Sequence, residues 1–294
     1  MSKATALILI KIILLNGVLA LATVAHSEQD RSRLLATGGA STIEGSAGGG
    51  IVPMAVLSGY GAREEQGGTA FASHVQVPHY SLSVVGASWS WRNRLELSVA
   101  EQRLSHRPLS QLLGVNDTSI RQTVVGAKVR LAGDLIYTPL PQISLGAQYK
   151  KNYDFLIPSA AGARDDSGTD LTLSATKLLL AGVADRNLLL NGTLRYSKAN
   201  QLGLVGFGGD KNNSPELLAE VSAGVFFNRH WLIGGEYRQK PDNLSFISED
   251  DWYSAFVAWF PNRHISLVAA YVDLGEVATF RNQHGWYLSL QGAF

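Results

Sequence analysis

The last nine residues of the chain, 286–294, alternate strictly between two kinds of side chain. Successive side chains of a β-strand point to opposite faces, so an apolar face runs from Trp286 to Phe294 and a mainly polar face lies behind it. In a transmembrane β-strand about 9–11 residues cross the bilayer, and aromatic rings lie at its two interfaces. A soluble strand has no need of an aromatic residue at both ends of one face. The segment therefore predicts the last strand of an outer-membrane β-barrel.

The same residues also resemble the C-terminal signal by which bacterial outer-membrane barrels are recognised for assembly. Phe294, Leu290 and Leu288 carry this resemblance. It implies two partners, namely the barrel-assembly machinery during biogenesis and the lipid of the outer membrane afterwards.

The amino terminus has the pattern of a secretory signal peptide over residues 1–27. Lysines precede an apolar run, and small residues before a polar stretch allow cleavage after Ala25 or after Ser27. A retained membrane helix is the weaker alternative, because the uninterrupted run is shorter than the ~20 residues that a span needs. Residues 28–50 are rich in glycine and are interpreted as an arm or a short first strand, and we expect the barrel over 51–294.

Runs with a period of two occupy most of the remaining chain and predict antiparallel strands. They span Leu95–Leu104, Arg121–Leu131, Gln142–Lys150, Leu171–Leu180, Leu188–Lys198, Leu217–Phe227, Trp231–Lys240, Asp251–Phe260, Ile265–Gly275 and Trp286–Phe294. Thr69–Ser90 is either two strands broken at Pro78 or one long strand. Two strands here, together with a first strand near Thr37–Gly45, give the larger strand number. The predicted fold is an all-β transmembrane barrel of about 12–14 strands.

The connections alternate between short and long, which predicts the orientation, since outer-membrane barrels have short periplasmic turns and longer external loops. With that orientation the large aromatic residues fall into two girdles. The predicted girdle residues are Trp89, Trp91, Trp231, Trp259 and Phe260 at the periplasmic rim, and Trp252 and Trp286 at the external rim. A soluble two-sheet sandwich gives no reason for this segregation.

Composition excludes several classes of function. The chain has 25 basic and 24 acidic residues and no basic stripe, so no nucleic-acid partner is expected. It has no cysteine, which excludes disulfides, thiolate catalysis and cysteine metal sites. The 17% of charged residues and 30 glycines suit a barrel, whose lipid face is apolar while its lumen is polar.

Polar and charged side chains fall on the inward faces of the predicted strands. The predicted lumen-facing residues are Glu96, Lys128, Arg130, Gln148, Lys150, Arg195, Glu220, Glu236 and Arg238. Charges inside a membrane structure are costly unless they meet water or one another, which leaves two interpretations open. In one, a hydrated lumen has a cationic arc facing Glu220 and Glu236. In the other, the charges form a salt-bridged filling that holds a closed barrel together.

The loops offer few candidates for other chemistry. Asp165 and Asp166 with Asp170 form a group of carboxylates that could bind calcium. They lack EF-hand spacing and are interpreted as solvated turns, so no metal or cofactor is expected. The motifs His-Glu-x-x-His and Gly-x-Ser-x-Gly are absent, and Ser73 beside His74 is only an adjacency. No catalytic residue is predicted, and the chain is not expected to be an enzyme.

Several longer stretches are similar to one known family. They are Leu34–Pro53, Gln148–Asn152, Ser197–Asp210, Lys240–Leu244 and Tyr271–Gly275. The chain resembles the proteobacterial domain-of-unknown-function family 3034 over nearly its whole mature length, with Met54 where a Trp is expected. The resemblance implies an outer-membrane barrel and carries over no substrate and no catalytic residue.

The leading hypothesis for function is a passive pore or transporter for a small polar or amphipathic solute. The alternative is a non-conducting structural or interaction barrel whose external loops bind a partner. A lipase-like barrel enzyme comes third.

Overall fold

The computed structural model describes residues 35–36, 39–59, 65–106, 119–246, 248–277 and 280–294. The predicted signal peptide and both predicted cleavage positions lie outside the described residues.

The described residues form a closed antiparallel barrel of twelve strands that follow one another in chain order, with the last strand paired to the first. Two short strands, β1 (Ala40–Ser41) and β2 (Ala47–Gly48), pair with each other apart from the barrel. The barrel strands are β3 (Gln66–Gln76), β4 (Tyr80–Trp91), β5 (Leu95–His106), β6 (Ser119–Ala132), β7 (Gln142–Asn152), β8 (Ser167–Val183), β9 (Arg186–Ser197), β10 (Glu216–Asn228), β11 (Trp231–Arg238), β12 (Trp252–Trp259), β13 (Ile265–Asp273) and β14 (His284–Ala293).

The predicted fold class is confirmed, and each predicted run of period two coincides with a barrel strand. The break at Pro78 is also correct, because β3 ends at Gln76 and β4 begins at Tyr80. Proline lacks the N–H that a ladder needs, so it lies between the strands. Within the described residues the number is twelve, because residues 39–45 contribute no strand to the barrel wall.

Alternation places apolar side chains outside, and the inside holds the polar side chains together with a buried apolar cluster. In β14, for example, Leu288 and Leu290 are more than half exposed on the outer face, whereas Ser289 and Gln291 are buried. An outward apolar face around a polar interior is the arrangement that lipid imposes on a transmembrane barrel. Phe294 is partly buried, and its backbone N–H and C=O both bond to Gly68 of β3.

Five of the predicted girdle residues lie on the outer face, namely Trp89, Trp91, Trp231, Trp259 and Trp286. The other two, Trp252 and Phe260, are a correction to the predicted girdle, since both are buried on the inner side. Trp252 is an odd number of residues from the outward Trp259, and Phe260 directly follows Trp259. Neither residue can therefore lie on the same face as Trp259. The outer position beside Trp252 is held by Tyr253, which is 54% exposed.

One end of the barrel carries tight turns. The β8–β9 turn has Ala184 and Asp185 at positive φ, as a two-residue hairpin loop requires, and the three-residue β4–β5 turn has Arg92 and Asn93 at positive φ. The β6–β7 connection at this end is longer. The start of β3 and the end of β14 lie at the same end, which is here called the periplasmic end because outer-membrane barrels have short periplasmic turns.

The opposite, external end carries most of the longer connections. They include a short helix α1 (Leu156–Ala160) between β7 and β8 and a 3-10 turn at Asn200–Gly203 between β9 and β10. No helix within the described ranges is long and apolar enough to cross a membrane.

Candidate functional site: a lumen filled by the amino-terminal segment

Residues 39–59, here called the lumenal segment, lie inside the barrel, and nearly all of them are buried. The prediction is an arm or a short first strand over 28–50 and the barrel over 51–294; in the structure residues 51–59 also lie in the lumen, and the first wall strand begins at Gln66. The interior of the barrel is therefore occupied by the chain itself.

Both ends of the lumenal segment lie at the periplasmic end of the barrel. The carbonyl of Gly39 accepts hydrogen bonds from Ser266 and Gln291, which lie close to the β13–β14 ends there. At the other end of the segment the Ser58 N–H donates to Glu96, near the start of β5, at 2.7 Å. The segment therefore enters and leaves the lumen on one side.

Between these ends the lumenal segment makes two turns. The first turn, residues 42–46, is closed by bonds between Thr42 and both Ser46 and Gly45. The second turn, residues 49–52, is closed by the bond from Gly49 N–H to Val52 C=O. At Gly45 φ is +93°, and a Cβ built there would lie 3.1 Å from the Cβ of Ala100 in the wall. The first turn is thus packed directly against β5.

The first turn carries Glu44, whose carboxylate is surrounded by three wall cations. Arg195 Nη2 lies 3.0 Å and Arg238 Nη1 2.7 Å from its Oε2. Its Oε1 contacts Lys150 Nζ and lies 3.3 Å from Arg238 Nη2. All four side chains are buried. Both carboxylate oxygens are therefore satisfied by charged donors from β7, β9 and β11.

Two wall carboxylates complete this cluster. Asp170 of β8 accepts from Lys150 at 2.6 Å and from Arg195 at 3.0 Å. Glu220 of β10 accepts from Arg195 at 2.5 Å and lies 3.2 Å from Arg238. The wall alone contributes three cations and two anions here, and Glu44 balances the remaining positive charge.

The second turn is held in the opposite way, by a wall carboxylate and backbone donors. Glu236 of β11 accepts hydrogen bonds from the N–H groups of Gly50, Ile51 and Val52 at 3.1–3.2 Å. The hydroxyl of Ser254 donates to the same carboxylate at 2.9 Å. Three successive N–H groups directed at one carboxylate form a small anion-binding concavity made of main chain.

Nearer the periplasmic end, Glu96 and Lys128 hold the segment through its backbone. Glu96 accepts from Ala47 N–H at 3.1 Å and from Ser58 N–H at 2.7 Å. Lys128 donates to the carbonyls of Ala47 and Val56 at 2.9 and 3.1 Å. The two side chains lie 3.5 Å apart, so each also offsets the charge of the other.

Buried apolar residues such as Phe71, Leu82 and Phe256 line part of the remaining wall and cluster with Ile43, Ile51 and Val52 of the segment, and another part is lined by small polar residues. They contact the segment through its carbonyls and amides: Thr193 donates to Pro53 C=O at 2.9 Å, and Ser144 to Ala55 C=O at 2.5 Å. Buried inward residues of this kind include Ser98, Ser144, Thr172, Ser174, Thr176, Thr193, Ser222, Ser254 and Ser289. Their short side chains leave room that the segment occupies.

Eight of the nine predicted lumen-facing residues are buried inside the barrel. Arg130 lies at the periplasmic rim instead, where it donates to the carbonyl of Gly133 and pairs with Asp134. The predicted separation into a cationic arc and an acidic side does not occur, because Arg195 binds Glu220 directly. The charges are paired, as in the second interpretation, but part of the filling is a separate segment of chain.

Sequence reasoning missed two members of the central cluster. Asp170 was assigned to a loop, although it shares the inward face of β8 with Thr172 and Ser174, and that alternation was a usable signal. Glu44 had no such signal, because a lone carboxylate among small residues fits an exposed arm equally well.

The external mouth is covered by the β9–β10 connection. Gln122 and Asn152 of the wall donate to the carbonyls of Leu202 and Leu204 at 3.1 and 2.8 Å, and Leu202 and Leu204 are both buried. This second cover closes the lumen above the first turn.

A buried ion pair holds neighbouring loops over the same mouth. Lys240 Nζ lies 2.7 Å from Glu249, which also accepts from Gln201 at 2.8 Å. Burial raises the pKa of Glu249 and lowers that of Lys240, and the attraction between the two charges opposes both shifts.

The remaining chemical candidates lie apart from the lumen site. Ser73 bonds to Ser289 inside the barrel, whereas the adjacent His74 is exposed on the outer face with Nδ1 3.0 Å from Ser83 Oγ. The loop carboxylates Asp165 and Asp166 pair with lysines. Within the described residues no group of three His, Asp or Glu is placed to hold a metal ion.

A closed antiparallel barrel with an apolar outer face and a filled lumen that holds buried charged and polar groups defines an outer-membrane β-barrel protein. The chain belongs to the family described as "Protein of unknown function (DUF3034)", whose sequence profile matches residues 37–291. The match includes the lumenal segment as well as the barrel strands.

Among curated proteins no sequence matches. Omp33 of Acinetobacter baumannii is a similar solved structure, with 10% identity, 79% of this chain and 100% of that chain covered, and a TM-score of 0.48. A KdgM porin has 11% identity, 77% and 99% coverage and a TM-score of 0.48. The COG4313 outer membrane channel of Pseudomonas putida F1 has 12% identity, 80% and 96% coverage and a TM-score of 0.44. At these values nothing about substrate or selectivity transfers to this chain.

Proposed function

We propose that this protein is an outer-membrane channel that the lumenal segment holds closed. The observation that carries the proposal is that a separate segment of the chain, and not the side chains of the wall alone, fills the lumen. A barrel built only to be solid needs no such segment, because large wall side chains can fill it.

The strand number supports this reading. A barrel of about 8 strands has an interior that side chains can fill, whereas barrels of about 16–18 strands leave an aqueous channel. With twelve strands this barrel lies between these cases. Removal of residues 39–59 would leave a passage lined in one part by hydroxyl, amide and charged groups and in another by apolar residues such as Phe71 and Phe256.

The direction of opening follows from where the segment enters. Gly39 and Ser58 are both bonded at the periplasmic end, so the segment withdraws toward the periplasm without being threaded through the barrel. Its hydrogen bonds to the wall are made by groups that water can replace one by one. The β9–β10 connection is a separate external cover that has to move as well.

Planar-bilayer conductance tests the proposal with three variants. One lacks residues 39–59, the second has residues 200–207 replaced by a short Gly-Ser linker, and the third combines both changes. We expect steady conductance from the combined variant and closure in the variant whose only change is the loop. The control is heat-modifiable migration in detergent, which shows that each barrel has folded.

Two outcomes would overturn the proposal. If the combined variant folds but shows no conductance, the barrel does not conduct. This result would favour the alternative of a structural or interaction barrel. Equal conductance from the loop variant alone means that the external loop, and not the lumenal segment, closes the lumen.

A further inference from the structure

The central cluster has the composition of a receptor for one carboxylate, and this inference rests on the proposed function. We infer that Lys150, Arg195 and Arg238 form a binding site for a small monocarboxylate solute, and that Glu44 occupies this site while the channel is closed. Glu44 then acts as a built-in ligand that a solute displaces.

The geometry of the site suits a carboxylate. Arg238 meets both oxygens of Glu44, at 2.7 and 3.3 Å, while Arg195 and Lys150 each approach one of them. A planar guanidinium that reaches both oxygens is the arrangement that recognises carboxylates with geometric specificity. The three donors belong to the barrel wall, so they remain in place after the segment has left.

The charge of the site suits a single negative charge. Asp170 and Glu220 already neutralise two of the three wall cations, and each lies within 3.2 Å of at least one of them. One positive charge is therefore left for Glu44 or for its replacement. A dianion would bring an extra negative charge close to two wall carboxylates, where like charges repel.

Competition couples the solute to opening. If Glu44 leaves alone, it uncovers a net positive charge in a buried place, which is costly. A monocarboxylate that binds the uncovered site removes this cost, and a ligand that binds only the open form shifts the population toward it. Because Glu44 is tethered at an effective concentration on the order of millimolar, the competing solute has to reach roughly the same range.

The probe is acetate. The sample is the variant in which residues 200–207 are replaced by a Gly-Ser linker, because in this variant the lumenal segment alone is proposed to close the lumen. We expect millimolar sodium acetate in both chambers to raise the open probability by about tenfold over sodium chloride of equal ionic strength. Sodium sulfate of equal ionic strength should not do so. Glu44→Gln should open the channel in chloride alone and abolish the acetate response.

Matched variants separate the site from general charge effects. Lys150→Gln should reduce the acetate response, whereas Lys151→Gln, one residue along on the outward side, should leave it unchanged. Glu44→Asp keeps the charge on a shorter side chain and serves as a second variant if Glu44→Gln fails to fold. We expect it to open at a lower acetate concentration than the native residue.

The failures of the two proposals are distinguishable. Suppose that the variant lacking both residues 39–59 and the external loop conducts, but that acetate does not change the open probability of the loop-shortened protein. The proposed carboxylate site is then wrong, and the channel proposal is retained. An equal response to sulfate also overturns the site, since it then reports ionic screening. If the doubly shortened variant is folded but does not conduct, the channel proposal is wrong, and so is the proposed site, which rests on it.

Discussion

The two turns of the lumenal segment are held in the barrel by opposite arrangements of charge. In the first turn the segment supplies a carboxylate, Glu44, and the wall supplies the cations. In the second turn the wall supplies a carboxylate, Glu236, and the segment supplies only backbone N–H groups. Arg238 touches both turns, because it also donates to the carbonyl of Ile51 at 2.9 Å.

This difference shows which positions depend on residue identity. A backbone N–H is present in every residue except proline, so the bonds to Glu236 do not depend on the side chains of the second turn. The first turn depends on one side chain of the right charge and length. We therefore expect the first turn to control gating and the second turn to control how firmly the segment is seated.

The largest effect is expected on the cationic side of the first turn. Arg195→Gln leaves Glu44, Asp170 and Glu220 with only two cations, and breaking a buried charge network by removing one partner costs about 3–5 kcal/mol. Denaturant unfolding followed by heat-modifiable migration should show that loss.

The matched control for this prediction is Lys211→Gln. Lys211 pairs with Asp242 at an exposed site, where an ion pair contributes about 0–1 kcal/mol. Equal losses from the two variants would contradict the assignment of Arg195 to a buried network.

A smaller and more local effect is expected at the second turn. Glu236→Gln removes the charge that three N–H groups share, and a hydrogen bond to a charged group contributes about 1.5–3 kcal/mol. Amide hydrogen exchange should become faster at residues 50–52 and remain nearly unchanged at residue 45, whose N–H bonds to the Thr42 C=O within the first turn. Faster exchange over the whole segment would mean that the two turns are not independent.

The smallest effect is expected from crowding at the second turn. A Cβ on Gly49 would lie 1.8 Å from Glu236 Oε1, so Gly49→Ala forces the end of that flexible side chain to move. We expect a loss of about 1 kcal/mol, within the range of ordinary single substitutions. Gly192→Ala in the wall has open space at the new Cβ and serves as the control, with no measurable change.

Much of the wall was predictable from the sequence, because alternation in a strand is imposed by geometry. The inward positions of Lys150, Arg195 and Glu236 followed from the period of two alone. Strict use of the same parity would have kept Trp252 out of the girdle and put Asp170 into the lumen.

The position of the lumenal segment was not predictable in the same way. A glycine-rich stretch has no periodicity. Its position depends on the barrel volume and on distant charges, which decide whether it pairs with a barrel strand, extends into solvent or folds into the lumen. Glu44 meets Lys150, Arg195 and Arg238 only after the wall has closed, and no local pattern announces a contact between residues more than a hundred positions apart.

The most direct test of the central claim is a disulfide between the first turn and the wall. The chain has no cysteine of its own, and a Cβ at Gly45 lies 3.1 Å from that of Ala100, near the ~3.5–4.5 Å spacing of disulfides. Outer membranes carrying Gly45→Cys with Ala100→Cys should form the crosslink under mild oxidation, while Gly45→Cys with the outward Val99→Cys should not. Absence of the first crosslink, together with ready labelling of the cysteine at position 45 by a membrane-impermeant thiol reagent, would contradict a lumen closed by its own amino-terminal segment.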